Sequence, residues 1–166
     1  MSKDSFKRIA LFVAFVLAQA LVLGNIHLFR YATPLLYVYF IAMFPRNYPK
    51  WSLLLWSFAT GLAVDMFANT PGVAAASLTL IGALQPYYLE LFVPRDSADD
   101  LRPSMATIGI GKYTYYIVPL VLIFCLLFYT LEMFTFFAPL RWLLCVVGST
   151  MITLLLIFTF EIAKSR

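Results

Sequence analysis

The chain is a succession of six apolar segments, drawn at residues 6–28, 31–45, 50–68, 72–93, 113–137 and 139–162, with polar breaks between them. An α-helix needs about 20 apolar residues to cross the hydrocarbon core of a bilayer, which is about 30 Å thick. A soluble domain of this length needs far more polar surface: 63% of the residues are apolar, 12% are charged, and the mean hydropathy is +0.88. No break is long and polar enough to form a separate water-soluble domain. The sequence therefore predicts an all-α fold, a single polytopic membrane domain over residues 1–166.

The second segment is the short one. Residues 34–44 give 11 positions, about 16 Å of helix, and read either as a short, distorted span or as a re-entrant piece. Charge counting separates the two. With six crossings and a cytoplasmic amino terminus, Lys3, Lys7, Arg8, Arg46, Lys50, Arg95, Arg102, Lys112, Lys164 and Arg166 face the cytoplasm, and only Arg30 and Arg141 face out. If segment two fails to cross, the split becomes four inside and eight outside, against the positive-inside rule. Six spans with both ends cytoplasmic follow, with 94–112 as the longest cytoplasmic loop. At the amino terminus, Ala18-Gln19-Ala20 has the small-x-small form of a cleavage site. The apolar run continues through Leu21-Val22-Leu23, so its length makes it an uncleaved first span.

The same distribution argues against nucleic acid as a partner. The net charge is +4, but the basic residues sit at the ends of apolar segments, where they fix orientation. The loop stretch Arg95-Asp96-Ser97-Ala98-Asp99-Asp100-Leu101-Arg102-Pro103 is mixed in sign. It reads as a solvated connector or as a docking surface for a cytoplasmic partner. The short outer loops leave little with which to recognise anything outside the membrane.

One carboxylate lies inside a span. Asp65 is 14 residues beyond Trp51, a residue suited to the inner interface, which puts it about 21 Å up the third helix, in the outer leaflet. A charge at mid-membrane costs about 2.5–3.5 kcal/mol on the insertion scale. Three roles account for it. It can accept hydrogen bonds from the following turn or pair with Arg30, Arg141 or His27; it can contact a ligand or ion; or it can relay protons. Ser57, Gly61 and Asp65 share one helical face, and Gly72, Ala75 or Ala76, Thr79, Gly82 or Ala83, and Pro86 form a stripe on the next segment. The two segments are predicted to form a tight hairpin turned at Asn69-Thr70-Pro71-Gly72. Asn69 and Thr70 are placed to cap the fourth helix, with Pro71 in its first turn.

Catalytic constellations do not assemble from this inventory. His27 is the sole histidine and reads as an interface residue; a Ser-His-Asp triad or a zinc site needs more partners. Glu132 is the candidate for a second buried acid, although pairing with Arg141 across the short connector is its simpler use. Gly109-Ile110-Gly111-Lys112 lacks the rest of a P-loop. Cys125 and Cys145 read as small hydrophobes, and Gln19 and Gln85 as helix–helix hydrogen bonds. Tyr113, Tyr115 and Tyr116 mark the inner interface and residues 134–137 the outer one. Neither a cofactor nor a metal is expected, nor is enzymatic turnover.

The block Gly61-Leu62-Ala63-Val64-Asp65-Met66-Phe67, followed by Thr70-Pro71-Gly72 and then Val73-Ala74-Ala75-Ala76-Ser77, resembles the rod-shape-determining MreD family. There a Gly-Leu-x-x-Asp block precedes a Pro-Leu-Gly-like turn and a small-residue helix; here the leucine between proline and glycine is missing. Length and hydropathy match along the whole chain. The resemblance implies a non-enzymatic bacterial inner-membrane scaffold in the machinery that directs peptidoglycan synthesis and cell shape. It implies a direct partner in the single-span protein MreC, with the MreB filament and wall synthases alongside. It also implies a fold like the substrate-binding membrane subunit of energy-coupling-factor vitamin transporters, which supplies the alternative function. Asn25, His27, Asp65 and Asn69 are sparse polar lining for such a substrate. Reporter fusions test the topology: cytoplasmic reporters should be active at both termini, and an exported reporter active at the carboxyl end would overturn six crossings.

Overall fold

A backbone surrounded by lipid must satisfy its own hydrogen bonds, which favours uninterrupted helices. The computed structural model describes residues 3–19, 33–93, 97, 101–133 and 139–165, and all of their regular structure is helical. In chain order the helices are α1 Lys3–Leu17, α2 Val38–Ala42, α3 Lys50–Ala68, α4 Val73–Glu90, α5 Met105–Ile108, α6 Ile110–Met133 and α7 Pro139–Ser165. Among them α3, α6 and α7 are long and apolar enough to cross a membrane. Helix α4 has 18 residues and runs back along α3, but carries Gln85, Pro86 and Glu90. Arg30, His27 and Asn25 fall outside the described residues, as does the 134–137 run.

The centre of the protein is the second segment, and little of it is helical. Helix α2 has five residues, about 7.5 Å of rise, where the sequence suggested a span over 31–45. Its side chains are shut in: Tyr37, Val38, Tyr39 and Ile41 are 0% exposed. Irregular backbone at such depth is tolerated only where protein side chains meet its polar groups. Here they do. The Thr33 N–H donates to Ser149 Oγ and the Leu35 N–H to Thr153 Oγ1, both at 3.0 Å, one helical turn apart on α7. Pro34 has no N–H to satisfy, and its carbonyl accepts from Gln19 Nε2 at 2.9 Å. At the other end the Ala42 carbonyl accepts from the Tyr116 hydroxyl at 3.1 Å and the Phe44 carbonyl from Gln85 Nε2 at 3.3 Å. Both glutamines thus bond to backbone of the second segment, and Gln85 also makes the helix–helix bond expected of it, donating to the Tyr116 hydroxyl of α6 at 3.2 Å.

The segment also runs alongside α7. Thr33 meets Ser149 while Tyr39 meets Glu161, twelve residues further along and about 18 Å in rise. Aromatic side chains fill the remaining space. Phe40 packs edge-on against Phe12, Phe44 and Trp56, and Tyr37 against Phe124 at 5.4 Å. Tyr113 and Tyr116, expected in an interface belt, are instead buried in this core, because positions three apart on α6 face the same way; Tyr115 points outward, 73% exposed.

Two details show how the long helices tolerate polar groups. Serine and threonine hydroxyls within them, such as Thr60, Thr79 and Thr150, donate to the carbonyl four residues back. Pro119 in α6 cannot bond the Tyr115 carbonyl, and the Tyr88 hydroxyl of α4 donates to that carbonyl at 3.1 Å. The 94–112 connector is tied down where described. The Leu101 carbonyl accepts from Arg46 N–H at 3.2 Å, and a Ser104–Thr107 capping box starts α5. Replacing Thr153 with valine keeps the shape but orphans the buried Leu35 N–H, an expected loss of about 1–3 kcal/mol. Thr159→Val removes only a hydroxyl bonded within its own helix and should cost under about 0.5 kcal/mol. Unfolding in mixed micelles measures both, and equal losses would refute the role given to Thr153.

Candidate functional site

The α3–α4 hairpin begins with small residues that remove the obstacle between two backbones. A Cβ added to Gly61 would lie 2.4 Å from the Ala75 Cα and 2.6 Å from the Ala74 carbonyl oxygen. One at Gly82 would lie 2.9 Å from the Ser57 Cβ. The helices therefore touch at two levels, Gly61 on Ala75 and Ser57 on Gly82. Of the alternatives in the α4 stripe, Ala75 and Gly82 face inward, while Ala76 and Ala83 are exposed.

This approach carries Asp65 to the start of α4. Its Oδ1 accepts from the Ala74 N–H at 2.9 Å and from the Thr70 hydroxyl at 3.0 Å, and its Oδ2 accepts from the Ala75 N–H at 2.9 Å. Ala74 and Ala75 hold the second and third positions of α4, whose N–H groups have no partner within the helix. The carboxylate of one helix thus caps the next, at the end where the macrodipole favours a negative charge. Asp65 is 5% exposed.

Asn69 and Thr70 act differently from the caps expected of them. Asn69 ends α3 in the left-handed region, with φ 56°, and its N–H donates to the Asp65 carbonyl. Thr70 donates to the Asp65 side chain. The residue flanking α4 is Gly72, at φ 83° and with no side chain to offer, which is why the capping oxygens come from Asp65. Pro71 and Gly72 are exposed at the turn. No family model, curated protein or solved structure matches the chain.

Glu132 and Arg141 are exposed, on the last turn of α6 and the first of α7. The second buried carboxylate is Glu161, 3% exposed, which sequence reasoning passed over. Its Oε2 accepts from the Tyr39 hydroxyl and its Oε1 from the Met105 N–H at 3.2 Å, the first residue of α5. The ring of Tyr113 packs on Phe158 nearby, and its hydroxyl is buried without a partner among the described residues. One signal was available: apolar residues flank Glu161 on both sides, although Lys164 three positions later makes it look like an ordinary helix-end charge.

Chemically, both carboxylates accept from neutral donors and join separate segments. Among the described residues no group of three or more His, Cys, Asp or Glu comes together, and Cys125 and Cys145 are free thiols in buried positions. Asp65→Ala should destabilise the protein by about 2 kcal/mol, the upper range for a lost cap. Asp65→Asn should do so less, since an amide keeps one acceptor. Gly61→Ala should cost about 1–3 kcal/mol by forcing the backbones apart. Hydrogen exchange at Ala74 and Ala75 reports the cap directly; unchanged exchange in Asp65→Ala would show that the carboxylate does not hold α4.

Proposed function

We propose that this protein is a non-enzymatic membrane scaffold of the bacterial cell-wall elongation machinery, of the MreD type, which binds and orients the transmembrane helix of an MreC-like partner. The observation that carries the reading is a coincidence of residues. Gly61, Asp65 and the Pro71-Gly72 turn, on which the resemblance rests, are also the residues that close the α3–α4 hairpin. That block thus closes a two-helix platform. On its outer side α3 exposes Trp51, Leu55, Phe58, Leu62 and Met66, spaced as one helical stripe. Such a face suits lipid or another protein's span, since association within a membrane rests on packing.

The same geometry weighs against the vitamin-transporter alternative. A polar ligand needs convergent polar groups facing a cavity, whereas both oxygens of Asp65 are already engaged by Thr70, Ala74 and Ala75. In this reading the chain crosses the inner membrane six times with both termini cytoplasmic. The passage of 33–45 alongside α7 supports a second crossing made by extended chain and a short helix. The basic cytoplasmic face is then the side on which MreB-like filament and wall-synthase partners would lie, directly or through MreC.

Two measurements test the reading. An MreC-like protein should co-purify in detergent, and the association should vanish when its single span is replaced by an unrelated one. Depletion of the chain from a rod-shaped cell should round it. Normal rods after depletion, or partner capture indifferent to the span, would overturn the proposal.

A further inference from the structure

Helices α4 and α6 do not close against each other along their whole length. Between them lies an open hollow of about 200 Å³, walled by Ile81, Leu84, Tyr87 and Tyr88 on α4, by Leu91 just past its end, and by Leu120 and Ile123 on α6. The wall is apolar but for the tyrosine hydroxyls. From Ile81 to Leu91 it runs ten residues, about 15 Å, which is the depth of one leaflet's hydrocarbon.

One end of the slot is basic and aromatic. The Lys50 ammonium sits over the Tyr87 ring, 4.2 Å from its centroid. Exposed Lys112 lies on the first turn of α6, three residues before Tyr115, whose carbonyl is bound by Tyr88. Glu90 is the exposed acid at the same end of α4. An ammonium over a tyrosine ring, with about 9 Å of apolar wall running from there to Ile81, matches a phosphate above the first part of an acyl chain.

We infer that the α4–α6 slot binds an anionic phospholipid, with one acyl chain lying between Leu84 and Ile123 and its phosphate on Lys50. The bond to Tyr88 at Tyr115 holds the two helices at the mouth, so the slot stays open beside them. The lipid then forms part of the lateral surface that any neighbouring span would meet.

Native mass spectrometry of the purified protein, delipidated and then titrated with phosphatidylglycerol or phosphatidylcholine, reads the site. Phosphatidylglycerol should be retained at least several-fold better than phosphatidylcholine. Lys50→Gln should remove that preference, and Leu84→Trp, which fills the slot from an exposed position, should reduce retention of both lipids. Leu155→Trp, on an exposed face of α7, should change neither. Equal retention of the two lipids by the wild-type protein would overturn the inference, as would Lys50→Gln or Leu84→Trp proteins that bind like wild type. A photoreactive residue at position 84 in native membranes gives an independent readout: a phospholipid adduct supports the site, and a polypeptide adduct in its place refutes it.

Discussion

Lipid offers no hydrogen bonds, and the protein places at its centre the largely buried 33–45 stretch, which is α-helical only over Val38–Ala42. Everything else in the fold answers to that constraint. The 33–45 stretch satisfies only part of its own backbone, and side chains from around it meet more of the rest: Gln19 just beyond α1, Gln85 of α4, Tyr116 of α6, and Ser149 and Thr153 of α7. These bonds fix where each long helix stands relative to the centre. The aromatic packing around Phe40 then fills what is left.

Two carboxylates repeat one device. Asp65 reaches from α3 to the first turn of α4, and Glu161 from α7 to the first residue of α5. Each meets N–H groups that helix geometry leaves unpaired. Each also accepts from a hydroxyl, Thr70 or Tyr39, and so adds a directional bond between separate segments. Directional bonds of this kind specify one arrangement where apolar contact alone would tolerate several.

Much of the hairpin was legible in the sequence, because its determinants are local in kind. Small residues at helical spacing mark a close approach, and an aspartate before a Pro-Gly turn marks an unusual connection. The cap itself was misplaced by one layer. Sequence rules look for a capping side chain next to the helix it caps, whereas Asp65 arrives from nine residues upstream through the folded hairpin. The core was less legible. Nothing in the local pattern tells Tyr113 and Tyr116 from the outward Tyr115, since all three suit a membrane interface. Glu161 escaped notice because a charge near the end of an apolar run ordinarily reaches water, and only the packing of 33–45 and α5 against it removes that option.

The cap on α4 also bears on how the chain is made. While α3 stands alone, Asp65, three residues from its end, has none of the N–H donors that satisfy it in the folded protein. Those donors are supplied only when the next helix begins to wind. The settling of the α3 end around Asp65 is thereby coupled to formation of the helix after it. Asp65 has its full set of partners only once the chain as far as Ala75 is in place.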